Sequence, residues 1–400
     1  MEVIKGGSIL SPQGFRAGFS RCGIKTAQGK PDVALILSDT PAAGAGVFTT
    51  NRFAAAPVQW DRSVLPSDEM RAVVVNSGNA NACTGEKGMR NARETAGLVA
   101  ELVGCRAEQV AVSSTGIIGH QLPMDRLLAG VRAAHAALSR DEAAARGAEQ
   151  AIMTTDTCPK ACAVEGEIEG RAFRIGGMTK GAGMIAPNMA TMLAFITADV
   201  HIPAGRLSEI LASAAELTFN RITVDGDSST NDTVLALASG ASGAVVPEVG
   251  PGREAFEQAL SHVMRDLSLQ IVRDGEGATK LVEVKVEGAR TAEAAETVAR
   301  AVAESQLVKC AIHGGDPNWG RILCAAGYCG VELEPLKVEL KIGGVTVFKD
   351  GLPTGADAAA AVAGPEVKVH LNLGVGRAAA TVWTCDLSKQ YIEINAEYHT

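Results

Sequence analysis

The chain has 400 residues, of which 37 are Lys or Arg and 45 Asp or Glu, for a net charge of −8. Hydrophobic residues make up 46% and charged residues 20%, which suits a folded protein with a large core and excludes bulk disorder. No basic face is available to neutralise phosphates and no apolar run nears the roughly 18 residues of a membrane span, so nucleic acid and membrane are excluded as partners.

The first residues, Met1-Glu-Val-Ile-Lys-Gly-Gly, lack the charged-then-apolar layout of a signal peptide, and a cytoplasmic location is expected. Val33–Ser38 and Arg71–Asn76 are compact apolar runs bounded by breakers and read as buried strands. A helix follows Pro123 through Leu127, Leu128 and Val131, and another starts near Asp141 and reaches Met153. Ile168–Ile175 reads as a strand leading into the glycine-rich stretch Gly176–Met184, and Met192–Ile196 reads as the next buried strand. Helical periodicity returns at 204–217, 254–267 and 291–305, with the Pro/Gly patch 246–252 as an exposed connection. Strand-like runs close the chain at 337–342, 345–348, 367–373 and 378–385. Blocks without a regular βαβ beat favour a layered α+β fold.

Several chemistries are missing from the pattern. There is no phosphate-binding G-x-x-x-x-G-K-[ST], no dinucleotide-binding G-x-G-x-x-G after a strand and no G-x-S-x-G elbow. Asp225–Asp232 begins like a calcium loop but lacks its Gly and Glu. Nine scattered cysteines include Cys158 and Cys162 as a half zinc motif without a second pair, so no metal is expected and free thiols suit a reducing compartment. Five segments dense in hydroxyls, amides and glycine remain: 76–83, 113–116, 154–157, 225–233 and 274–280. Singly each is a turn, because Ser, Thr, Asn and Gly bond to local backbone; together they fit the rim of a site equally well.

The stretch Lys180-Gly-Ala-Gly-Met-Ile-Ala-Pro-Asn-Met-Ala-Thr-Met-Leu-Ala-Phe195 closely resembles the self-cleavage segment of the ornithine acetyltransferases, or glutamate N-acetyltransferases, of arginine biosynthesis. The resemblance extends through Gly46–Asn51, Val75–Ala82, Ser114–Gly116, Arg221–Asp227, Val272–Ala278, Asp316–Arg321 and Ile394-Asn395. It implies cleavage between Ala190 and Thr191, giving chains 1–190 and 191–400 intertwined in one fold, with Thr191 as nucleophile. A threonine hydroxyl needs a base, and the freed α-amine, with an ordinary pKa of about 7.7–8.0, is placed to serve.

By resemblance, Thr115 and Gly116 form the oxyanion hole, and Thr154, Lys180, Thr191, Glu276, Asn395 and Thr400 contact substrate. Lys180 suits a carboxylate and Glu276 an ammonium. The implied reaction passes acetyl from N-acetylornithine to glutamate through an acetyl-threonine, without a cofactor; acetyl-CoA serves some members as a second donor. The implied fold is an α/β/β/α sandwich with a smaller second lobe, and the implied assembly is a heterotetramer of two α and two β chains. A self-cleaving amidase or aminopeptidase of related fold is the alternative. Ala182 in place of Ser, His313-Gly314 in place of an aromatic and Gly, and the tail from Ala396 depart from the family's pattern.

Overall fold

The computed structural model describes residues 1–25, 29–186 and 192–397. Among the described residues the chain divides into two compact units, the first made of residues 1–220 and 227–271, the second of Arg221–Gly226 and residues 272–397.

The first unit runs β1 (Glu2–Val3), β2 (Phe15–Ser20), β3 (Val33–Phe48), α1 (Ala56–Val64), β4 (Ser67–Asn79), α2 (Gly85–Val103), β5 (Val110–Ile117) and α3 (Met124–Ala136). It continues with α4 (Glu142–Ile152), β6 (Lys160–Ile168), β7 (Arg171–Lys180), β8 (Leu193–Ala198), α5 (Ala204–Glu216), β9 (Thr233–Ala238) and α6 (Pro251–Arg273). The strands are ordered β1-β6-β7-β8-β9-β3-β4-β5, with β2 also paired to β3. β3 joins two halves: residues 33–37 pair with β2 and β4, whereas 43–48 pair with β9, and the register shifts between them.

Alternation along the strands sets the layers. Val33, Leu35 and Leu37 of β3, Ala72 and Val74 of β4, and Val110 and Val112 of β5 pack under α1, α2 and α3. Their neighbours Ala34, Ile36, Val73, Val75 and Ala111 face a second core with Met178, Leu193, Phe195, Leu235 and Leu237 from the other half. The two halves therefore stack face to face. α6 covers the far side, where Phe256 meets Phe173 at 6.1 Å and a side chain on Gly177 would run into Val263 and Leu267. This is the expected α/β/β/α layering. α4 inserts Ala145, Ala148, Ala151 and Ile152 into the inner core; small side chains on both sides allow that approach.

The second unit contains β10 (Leu281–Ala289), α7 (Ala292–Glu304), α8 (Gln306–His313), α9 (Trp319–Tyr328), β11 (Glu339–Ile342), β12 (Val345–Lys349) and β13 (Leu352–Pro353). α10 (Ala359–Ala363), β14 (Glu366–Asn372), β15 (Ala378–Cys385) and α11 (Lys389–Glu397) complete it. Its sheet order is β13-β12-β11-β14-β10-β15, and Val298, Ala299 and Val302 of α7 join Val284, Val286, Val369 and Val382 in its core.

Three expectations differ. The strand expected at 168–175 is a hairpin, because Glu169 and Gly170 take φ of +51° and +79° and reverse the chain between β6 and β7. Gly176 and Gly177, read as part of a glycine-rich stretch after the strand, are paired residues inside β7. α6 begins at Pro251, so the patch expected as a connection over 246–252 gives its last two residues to a helix.

Candidate functional site

In the first unit the Ser114-Thr-Gly116 end of β5 is fixed from three sides. Ser114 Oγ donates to Asn76 Oδ1 at 2.6 Å, Asn76 Nδ2 donates to the carbonyl of Asn79 at 2.9 Å, and Asn231 Nδ2 donates to the carbonyls of Ala80 and Ser114 at 2.6 and 2.9 Å. The amide-rich segments 76–83 and 225–233 thus hold Thr115 and Gly116 in place. Gly116 has φ +131°, and a Cβ there would sit 2.3 Å from the carbonyl carbon of Gly78 and 2.5 Å from the nitrogen of Asn79. Only glycine fits this parallel crossing of β4 and β5.

Lys180, the last residue of β7, brings three expected residues together. Its Nζ donates to Thr115 Oγ1 at 3.0 Å and to Thr154 Oγ1 at 3.1 Å. Because Thr115 Oγ1 accepts from the ammonium, its own proton is directed elsewhere, as an oxyanion donor requires. Directly opposite Lys180 across the ladder is Leu193, the first residue of β8. Ala190, Thr191 and Thr400 lie outside the described residues.

Sequence reading missed the charges beneath this triangle. Asp156 and Lys160 pair at 2.7 Å with side chains 0% and 1% exposed. Asp156 also accepts from the backbone N–H of Thr154 at 2.9 Å and of Gly181 at 2.7 Å. Burial opposes its charge, but Lys160 and Lys180 outweigh burial and bring its carboxyl down to about 2. Burial alone drives the opposite result at Asp232, which is held well above the usual carboxylate range despite bonds from Ser229 and Thr49 and the field of Lys180. Lys25 is desolvated too, and its ammonium falls to about 8 against the pull of Asp32. The only sequence signal for the Asp156–Lys160 pair is the four-residue spacing.

Downstream, Met184 takes φ +56° without being glycine, while Ala182, Ile185 and Ala186 are buried. Ser228 Oγ holds the carbonyl of Ala186 at 2.8 Å. The approach to residue 187 is thus a packed segment with positive φ at two residues, Gly181 (+156°) and Met184 (+56°).

In the second unit Asn395, on α11, donates to Glu276 Oε2 at 2.8 Å. The loop bearing Glu276 is seated on α11: Ser388 Oγ donates to the carbonyl of Gly277 at 2.6 Å, and a side chain at Gly277 (φ +71°) would strike the Tyr391 nitrogen. Asp386 anchors the loop's far end, accepting from the N–H groups of Thr279 and Lys280, the Thr279 hydroxyl, and His313 Nδ1 at 2.7 Å. Those bonds hold its carboxyl below the ordinary value even though burial opposes them. His313, one of the departures from the family's pattern, is therefore tied to the Glu276 loop through Asp386.

Cys158 is exposed and Cys162 buried. Among the described residues no group of three or more His, Cys, Asp and Glu side chains is arranged to hold a metal, and no helix is long and apolar enough to cross a membrane.

Comparison with known proteins agrees with the motifs. A family model described as the ArgJ family matches residues 16–400. The arginine biosynthesis bifunctional protein ArgJ of Symbiobacterium thermophilum is 50% identical over 407 residues, covering 100% of both chains. The glutamate N-acetyltransferase of Methanocaldococcus jannaschii is 45% identical over 414 residues, again covering 100% of both. The crystal structure of the arginine biosynthesis bifunctional protein from Bacillus halodurans shares 44% identity with a TM-score of 0.50, covering 52% of this chain and 100% of that one.

Proposed function

The chain belongs to the ArgJ family, and on that premise we propose that it transfers acetyl from N-acetylornithine to glutamate in arginine biosynthesis, using Thr191 as nucleophile. The observation that carries this reading is the Lys180 ammonium on the hydroxyls of Thr115 and Thr154, beside a glycine whose place admits no side chain. In the precursor, Thr191 Oγ attacks the Ala190 carbonyl carbon, the C–N bond breaks, and water opens the resulting ester to leave a free α-amine. That amine then takes the hydroxyl proton as Oγ attacks the acetyl carbonyl of N-acetylornithine. The Thr115 hydroxyl and the Gly116 N–H donate to the developing oxyanion. Collapse releases ornithine, protonated by the same amine, and leaves acetyl-Thr191. The glutamate α-amine attacks the ester and departs as N-acetylglutamate. Lys180 binds a substrate carboxylate, while Glu276, with Asn395, binds the ammonium end of ornithine; Thr400 completes the substrate contacts.

The sheet supports survival of the cut. Residues 1–190 supply β1 to β7, residues 191–400 supply β8 and β9, and the ladders β7–β8 and β9–β3 join the two pieces. Breaking one peptide removes none of these bonds, so chains 1–190 and 191–400 stay together; an assembly of two α and two β chains in the cytoplasm belongs to the same proposal and rests on the family resemblance. The relative from Symbiobacterium thermophilum is named bifunctional, and whether acetyl-CoA is a second donor to this enzyme is read by replacing N-acetylornithine with acetyl-CoA in the assay below.

The test is an assay with N-acetylornithine and glutamate and no CoA. Ornithine and N-acetylglutamate forming one to one supports transfer. Acetate released at the same rate with or without glutamate makes the enzyme a hydrolase instead.

A further inference from the structure

Asp156 and Lys160 have no step in the acetyl chemistry, yet both charges are almost completely removed from solvent. Such burial is costly, and an apolar pair of similar volume fills the space without that cost. Their geometry gives them a task. Asp156 Oδ1 accepts from Lys160 Nζ at 2.7 Å and from the Gly181 N–H at 2.7 Å, while Oδ2 accepts from the Thr154 N–H at 2.9 Å. One carboxylate thereby ties together the Thr154 turn, the start of β6 and the residue after Lys180. Lys160 and Lys180 both feel this carboxylate, but Lys160 makes the direct ion pair and Lys180 donates to Thr115 and Thr154.

Resting on the reading of Lys180 and Thr115 as site residues, we infer that Lys160 is a positioning residue: by occupying the Asp156 carboxylate it leaves Lys180 on the two threonine hydroxyls. Without Lys160, Asp156 draws Lys180 onto itself and pulls the ammonium off Thr115. With both charges of the buried pair gone, that rival carboxylate is absent and Lys180 keeps its place.

The prediction is a rescue. In the full-length enzyme, Lys160→Met lowers kcat/KM for acetyl transfer about 100-fold, the scale of a misplaced site group. Adding Asp156→Asn to it recovers at least about tenfold of that loss, a coupling between neighbours that a cycle of variants reads directly. A pair that serves packing alone leaves the double variant no better than Lys160→Met, which overturns the inference. Where Lys160→Met does not fold, the double variant, which buries no unpaired charge of this pair, is compared with Lys180→Met. Activity within about tenfold of wild type supports positioning; activity as low as Lys180→Met, or failure to fold, overturns it. Lys180→Met itself separates the two levels. If it is fully active, the reading of the site is wrong; if it is inactive and no rescue occurs, only the positioning role fails.

Discussion

The two groups of candidate residues differ in how they are held. Thr115, Thr154 and Lys180 rest on a buried ion pair and on amide side chains that bond to backbone, with Thr115 8% exposed. Glu276 and Asn395 meet in an exposed hydrogen bond on a loop seated against a terminal helix. Fixed, desolvated donors stabilise a charge that develops only during reaction, whereas exposed polar groups contribute to binding of the ground-state substrate. On the proposed mechanism the buried group sets kcat and the exposed group sets KM.

The largest expected effect removes the proposed nucleophile that the first group serves. Thr191→Ala stays a single chain and loses activity by on the order of 10⁴-fold or more, since no other group supplies the nucleophile; a gel and a transfer assay check it. Thr115→Ala follows, lowering kcat about 10²–10³-fold with little change in KM, the loss typical of one oxyanion donor. Steady-state kinetics separate it from the exposed pair. There, Glu276→Gln or Asn395→Ala raises KM for N-acetylornithine about three- to tenfold and leaves kcat nearly intact. A kcat loss at Asn395 as large as at Thr115 erases the distinction.

The smallest effect sits in the buried unit away from the chemistry. Asp61 is fully buried, with Oδ1 accepting from the Val112 N–H at 2.8 Å and Oδ2 lacking a partner among the described residues. Burial pushes its carboxyl well above the usual range. A raised acid contributes its stability fully below the unfolded value of about 3.9 and loses it as pH rises through the folded value. Asp61→Asn therefore raises Tm relative to wild type by a margin that widens from acid to alkaline pH, with acetyl transfer unchanged. Asp156 runs the other way: its depressed carboxyl contributes above about 3.9 and that contribution is lost as pH falls through about 2.

How much of this was legible in the sequence depended on whether the signal was local. β3 and β4 show in their apolar runs, and α4 in Asp141, whose side chain accepts from the Ala144 N–H as an N-cap. The hairpin at Glu169-Gly170 was hidden because its turn is only two residues long and the buried apolar residues Ile168, Phe173 and Ile175 lie close on both sides of it. α2 was missed because two early glycines disguise its start; Gly88 is there since a Cβ would come within 2.0 Å of Thr84 Oγ1. The site residues stood out by family resemblance, for a lone Lys or Thr carries no periodic signal. Asp156 and Lys160 were beyond reach because a charged residue's ordinary fate is solvent, and only the folded ladder shows them buried together.

The central claim is that Thr191 becomes a chain terminus before it becomes a nucleophile. Intact-mass and N-terminal sequencing of the purified enzyme tests it most directly. The account predicts two chains, residues 1–190 and 191–400, co-purifying, with threonine first in the second. A single uncut chain of 400 residues with full transfer activity contradicts it.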